Sequence, residues 1–245
     1  MDSQFKDKVA IVTGSSSGIG EAIAVMFASR GAMVTLCGRN LERLTTVFET
    51  VVEIGGGHKD RFLIVQGDIN DNDVRTQIIS KTINAFGRLD ILVANAGVST
   101  IGQQISTATD EDYNIIMDTN LKSVFFLIQQ AIPHLEKTRG NIVNISSVTT
   151  YTVQPELIIY SLAKIGLDHL SRILAAELGP KGQEAGAFNS QTVLGELRQQ
   201  AWKTRTGTVV DVAELVSFLA SEAASLITGQ SIKLDGGKSL GRPSE

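Results

Sequence analysis

Residues 9–20 read Val-Ala-Ile-Val-Thr-Gly-Ser-Ser-Ser-Gly-Ile-Gly, and this stretch decides the fold. Val9–Thr13 is a short, uncharged, mainly apolar run of the kind that forms a strand buried on both faces. It passes straight into glycines at positions 14, 18 and 20. A helical pattern, Glu21–Arg30, follows and stops at Gly31. Glycine permits a tight turn and lets the main chain approach a phosphate closely. The helix behind it offers free N–H groups and the positive end of its dipole. Gly14, Ser16, Ser17, Gly18, Ile19 and Gly20 are therefore candidate residues of a phosphate cradle. A glycine-rich turn without a ligand carries the same local signature, and the position between first strand and first helix favours the cradle.

Outward from this stretch, the alternation continues. Met33–Cys37, Arg61–Val65, Ile91–Ala94 and Asn141–Ser146 read as further strands. Leu41–Ile54, Asn72–Phe86, Asp110–Glu136 (as one long helix) and Ile159–Leu178 read as helices. Gly55-Gly56-Gly57 and Gly87 close two of them. The strands are continuously apolar rather than alternating, which predicts an α/β fold: a single doubly wound, Rossmann-like parallel sheet with helices on both faces. No linker, repeat or low-complexity segment interrupts residues 1–245, so one domain is expected.

The bulk properties narrow the function classes. A formal charge of −4, with both signs mixed along the chain, gives no nucleic-acid footprint and no polybasic membrane patch. No run of about 18 apolar residues exists, so no membrane span is expected. The N-terminal residues do not form a signal peptide, and the single cysteine, Cys37, excludes an internal disulfide. Both features fit a cytoplasmic protein. His58, His134 and His169 are scattered without metal-ligand spacing, so no metal site is expected.

The glycine spacing is Gly-x-x-x-Gly-x-Gly, which resembles the short-chain dehydrogenase/reductase family. The resemblance extends in order along the chain. It takes in Asp68 and Ile69 after the third strand, Asn95-Ala96-Gly97 after the fourth, Asn120, Ser147, and Tyr160-Ser161-Leu162-Ala163-Lys164. Thr228-Gly229-Gln230 and Asp235-Gly236-Gly237 resemble the family's terminal strand region. The 3-oxoacyl reductase-like or carbonyl reductase branch is the nearest general likeness. By this resemblance Asp68 and Ile69 lie near an adenine, and Asn95, Ala96 and Gly97 border the cofactor. Asn120, Ser147, Tyr160 and Lys164 form the catalytic set, Tyr160 and Lys164 also contacting the cofactor. The partner implied is a small carbonyl or alcohol substrate, and the assembly implied is a homodimer or homotetramer.

The residue chemistry agrees with those roles. Tyr160 and Lys164 stand four apart on a helix and share a face. A free tyrosine, with a pKa of about 10, is a poor base near neutrality. A nearby ammonium favours the phenolate and equips it for proton transfer to a carbonyl. Ser147 would hydrogen-bond the substrate oxygen, where charge develops. Taken singly, Tyr-x-x-x-Lys fits a solvated helix face, and Ser147 fits a turn cap. Ser146 is an adjacent rival, and the resemblance selects Ser147, because the family's serine stands 13 residues before its tyrosine. Arg39 follows the second strand, with no Asp or Glu at the strand end, so NADP(H) is preferred and NAD(H) possible. Ser17 precedes Gly18 where a second basic clamp would stand.

One segment, residues 183–206, departs from the family. No Pro-Gly turn is present, the stretch is shorter than expected, and Glu184 and Gly186 are poor strand formers. Ala187–Ser190 reads as a remnant strand, Thr192-Val193-Leu194 as the turn after it, and Glu196–Lys203 as a truncated covering helix. A missing sixth strand would leave Ser231–Leu234 unpaired. The alternative function is therefore a catalytically impaired dinucleotide-binding member acting as a scaffold or regulator. A P-loop nucleotide hydrolase is disfavoured, because no Lys-Ser or Lys-Thr follows the glycine loop. Val98, Ser99, Thr149, Tyr151, Val153 and Leu157 are the expected substrate-pocket residues.

Overall fold

The computed structural model describes residues 4–179, 189–195, 207–237 and 239. Seven parallel strands form one sheet in the order β3-β2-β1-β4-β5-β6-β7. They are β1 (Val9–Thr13), β2 (Met33–Gly38), β3 (Phe62–Gln66), β4 (Ile91–Ala94), β5 (Asn141–Ile145), β6 (Asn189–Gly195) and β7 (Ser231–Leu234). The helices between them are α1 (Gly18–Ser29), α2 (Leu41–Ile54), α3 (Asn72–Phe86), α4 (Asp110–Met117), α5 (Ser123–Thr138), α6 (Ile158–Leu178) and α7 (Val209–Leu219).

Successive β1 residues serve opposite layers, as strand geometry requires. Ala10 and Val12 join Ile23, Phe27, Leu44 and Val216 beneath α1, α2 and α7. Ile11 joins Ile78, Leu127, Leu167 and Leu174 beneath α3, α5 and α6. Sheet polarity brings the carboxyl ends of β1, β4 and β5 to one edge, where the order reverses between β1 and β4. Ligands of such sheets bind there.

Two sequence expectations need correction. The single helix Asp110–Glu136 is two helices separated by a wider π turn, Asp118–Lys122, and the second runs on to Thr138. Both parts are amphipathic, and hydrophobic periodicity does not register one extra residue in a turn. The sixth strand is present, and it contains the residues read as a turn. Thr192, Val193 and Leu194 pair with Ser231, Ile232 and Lys233, while Asn141–Ile145 pairs on the other side. The run Thr192-Val193-Leu194 is β-forming, and β7 thereby has its hydrogen-bonding neighbour. Ala187, Phe188 and Glu196–Lys203 lie outside the described residues. α7, for which no expectation was formed, begins with a capping box in which Thr208 and Asp211 satisfy each other's backbone N–H groups.

Candidate active site

The glycine loop is shaped by sterics. Gly14 and Gly18 have φ of 65° and 61°, left-handed values that disfavour other residues. A Cβ on Gly20 would stand 2.3 Å from the Gly14 carbonyl oxygen, so only glycine lets α1 start this close to the loop. Asn95 latches the loop from β4. Its Nδ2 donates to the Thr13 and Gly14 carbonyls at 2.8 and 3.2 Å. The main-chain N–H groups of Asn95 and Ala96 both donate to Thr13 Oγ1 at 3.0 Å.

These elements enclose a cleft of about 450 Å³. Gly14, Ser16, Ser17 and Ile19 line its floor, Asp68 and Ile69 one wall, and Asn95, Ala96, Gly97 and Val98 the other. Arg39 stands at the mouth with Arg43, which belongs to the first turn of α2. Gly18 and Gly20 shape the loop without lining the cleft. Cys37 lines it too, but burial pushes its thiol pKa far up, which leaves it an inert wall residue.

Gly97 connects the cleft to the second half of the site. A Cβ there would lie 2.8 Å from Asn120 Oδ1 and 3.6 Å from Lys164 Nζ. Asn120 is fully buried in the π turn. Its Oδ1 accepts from Val98 N–H at 2.8 Å, and its Nδ2 donates to the Val98 carbonyl at 2.7 Å. The turn thus clamps the segment that follows β4.

Tyr160 is half-buried in the first turn of α6, and Lys164 is buried one turn later. Lys164 Nζ lies 5.6 Å from the centroid of the Tyr160 ring and donates to the Ile145 carbonyl at 2.7 Å. Burial pushes the Lys164 pKa down to about 8, and the charge of Asp168 opposes that shift. Ser147 has extended backbone and caps a single 3₁₀ turn, Val148–Thr150, its Oγ accepting from Thr149 N–H at 3.2 Å. Ser146 faces the other way. Its Oγ donates to the Lys164 carbonyl at 3.2 Å and its N–H to the Val193 carbonyl at 2.9 Å. Between the two serines, Ser147 is the one not tied to α6.

Of the expected pocket residues, Thr149, Tyr151 and Val153 line an apolar groove of about 590 Å³ beside α6. Leu157 lines an adjoining hollow, Val98 belongs to the cofactor cleft, and Ser99 is exposed. Sequence reasoning missed Arg43 and Thr13. Arg43 stands four residues beyond Arg39, and that spacing was the available signal. Among the described residues no cluster of His, Cys, Asp and Glu could hold a metal, and no helix is long and apolar enough to cross a membrane.

The cleft fits a nicotinamide dinucleotide. It offers a glycine cradle that a Cβ would fill, a helix N-terminus behind it, and the Asp68–Ile69 wall.

A sequence model of the short chain dehydrogenase family matches residues 8–206. Among curated proteins, the chain is 31% identical over 247 residues to 3-oxoacyl-[acyl-carrier-protein] reductase FabG of Thermotoga maritima, covering 96% of this chain and 98% of that one. It is 32% identical over 257 residues to glucose 1-dehydrogenase of Gluconobacter oxydans, covering 97% and 94%. Among solved structures it resembles glucose dehydrogenase of Caenorhabditis elegans in the apo form, with TM-score 0.85, 35% identity and coverage of 97% and 99%. It also resembles a short-chain dehydrogenase/reductase of unknown function from Caenorhabditis elegans with cofactor, with TM-score 0.88, 30% identity and coverage of 97% of each chain.

Proposed function

The chain belongs to the short-chain dehydrogenase/reductase family, and from that premise we propose that it is an NADP(H)-dependent oxidoreductase interconverting a carbonyl and a secondary alcohol, with Tyr160 as general acid/base. The observation that carries this reading is the buried Lys164 ammonium, 5.6 Å from the Tyr160 ring. A positive charge held there out of water favours the phenolate strongly, because little solvent screens it. A bound nicotinamide would supply or accept the hydride. Tyr160 passes a proton to the substrate oxygen in reduction and takes it back in oxidation. The Ser147 hydroxyl, on its capped turn, donates to the same oxygen as charge builds there. Asn120 fixes Val98 at the cofactor wall and, in this reading, takes part in the proton relay behind Lys164.

The cofactor preference rests on Arg39 and Arg43. Both are exposed, both line the cleft mouth, and neither takes part in an ion pair among the described residues. Two guanidinium groups in that position suit a 2′-phosphate. The mostly apolar groove beside α6 supports a small carbonyl or alcohol substrate with an apolar portion. Exposed Phe125 and Phe126 on α5, with Ile173 on α6, support assembly as a homodimer or homotetramer.

The test is NADPH oxidation followed at its absorbance band with a panel of ketones, against Tyr160→Phe. The parent is expected to turn over at least one ketone, and Tyr160→Phe to lose roughly 10²–10⁴-fold in kcat. Equal rates for the two proteins across the panel would overturn the acid/base assignment. Tight NADPH binding without turnover would favour a scaffold role.

A further inference from the structure

We propose that Arg75 is a positioning residue of the cofactor cleft, which from α3 holds the Asp68–Asn70 wall in the conformation that receives the adenosine half of the dinucleotide. The proposal rests on the reading of the cleft as a dinucleotide site. Arg75, Ile78, Ile79 and Thr82 are the buried residues of α3, spaced three and four apart along the face turned to the sheet. The first of these positions normally takes an apolar side chain, yet it holds a guanidinium that is only 7% exposed. Its Nη1 donates to two successive main-chain carbonyls, that of Ile69 at 2.7 Å and that of Asn70 at 2.8 Å. Both belong to residues 67–71, the connection between β3 and α3, which takes no part in strand pairing. Asp68 and Ile69 line the cleft, and so does Thr119 of the π turn. Asn70 joins the two, its Nδ2 donating to Thr119 Oγ1 and its N–H to Asp68 Oδ1, each at 2.9 Å. The next residue of that turn, Asn120, clamps Val98 at the opposite wall.

A buried charge is costly unless it is paired. Arg75 forms no ion pair among the described residues, and its Nε has no hydrogen-bond partner there. The ring of Phe126 on α5 lies against the guanidinium, with 5.8 Å from Cζ to the ring centroid, and this contact offsets part of the cost. A straight apolar side chain of similar length would fill the position without that cost. What the arginine adds is its pair of bonds to the wall. Two donors on one planar nitrogen hold both carbonyls toward α3 at once. Asp68 and Ile69 then keep their places beside the cleft before a ligand arrives. A wall ordered in advance spares the ligand the entropy of ordering it.

The test measures binding of NADPH, and of adenosine 2′,5′-bisphosphate as a probe of the adenosine half alone, to the parent, Arg75→Met and Arg75→Lys. Ketone-reduction kinetics and melting temperature are measured alongside. Arg75→Met is expected to weaken binding of both probes about tenfold per folded molecule and to raise KM for NADPH to match. The kcat at saturating NADPH and the KM for the ketone are expected to stay within about twofold. Arg75→Lys, whose ammonium still reaches one carbonyl, is expected to fall between Arg75→Met and the parent. An arginine with a structural role alone would change the melting temperature and leave the affinity of folded protein as it was. Binding of both probes by Arg75→Met within about twofold of the parent, or a loss accounted for by unfolded protein, would therefore overturn the proposal. Should Arg75→Met fail to fold, Asn70→Ala decides, because that side chain is exposed and its removal frees the wall from the π turn. A several-fold rise in its Kd for NADPH supports the proposal, and a Kd within about twofold of the parent overturns it. A parent that binds no NADPH sinks the dinucleotide reading and the proposal with it, whereas tight binding that Arg75→Met leaves intact sinks the proposal alone.

Discussion

A 2′-phosphate differs from a hydroxyl by two charges and three acceptor oxygens, and among the described residues lining the cleft the cationic side chains that can answer the charge are Arg39 and Arg43. Asn40 between them caps α2, its Oδ1 accepting from Arg43 N–H at 2.9 Å, so the start of the helix that carries Arg43 is fixed. Arg39→Ala and Arg43→Ala are each expected to raise KM for NADPH about tenfold, the cost of one charge-assisted contact, while KM for NADH stays within about twofold. Steady-state kinetics with both cofactors checks this. An equal rise for NADH would remove the phosphate from the reading. At this scale the sequence was most readable where sterics leave one choice, as at Gly14 and Gly20, whose conformation and close contacts admit only glycine. Arg43 was harder to see, because an arginine in the first turn of a surface helix is ordinary until the fold sets it beside Arg39. Arg75 was hidden for a different reason: charged residues on an amphipathic helix normally face water, and only tertiary packing turns this one inward.

The elements followed the sequence wherever apolar period and breakers agreed. α2 and α3 span the expected residues, Leu41–Ile54 and Asn72–Phe86, between an Asn or Asp cap and a glycine stop. Signals weakened where one residue had two roles. The π turn at Asn120 sits within amphipathic sequence, and β6 sits in polar sequence whose strand character comes from the neighbours on either side. The strand starts, remote from the site, give a separate stability test. Asp90, 3% exposed, accepts from Val9 N–H at 2.9 Å and from Arg88 Nε and Nη2 at 2.8 and 2.6 Å. It ties the beginnings of β1 and β4 together. Asp90→Ala leaves a buried N–H unpaired and is expected to cost about 2–3 kcal/mol. For a domain of this size that lowers the melting temperature by roughly 5–10 °C. Turnover per folded molecule should be unchanged, since the site lies at the opposite end of the strands. A calorimetric scan together with active-fraction kinetics checks both halves.

At the scale of the molecule, the doubly wound sheet accounts for where the site lies but leaves two helices incompletely covered. α5 and α6 pack their inner stripes on the sheet through Leu127, Leu135, Leu167 and Leu174. Their outer sides still present Phe125, Phe126 and Ile173, each at least one-third exposed. Contiguous apolar surface of this kind is uncommon on a monomer, and a two-fold contact buries the same patch on both partners. A stable interface needs about 800 Å² from each partner, which two adjacent helices of these lengths can provide. α6 also carries Tyr160 and Lys164, so covering its outer side would stiffen the helix that sets their separation. At micromolar concentration the chain of 26.2 kDa is expected to sediment as a dimer or tetramer. Ile173→Arg places a charge on the outer side of α6 away from the cleft and the apolar groove, and is expected to shift the population to monomer and lower kcat more than it raises KM. Sedimentation velocity on both proteins decides the matter: a parent that runs at 26.2 kDa throughout would show that these helices face water as they stand.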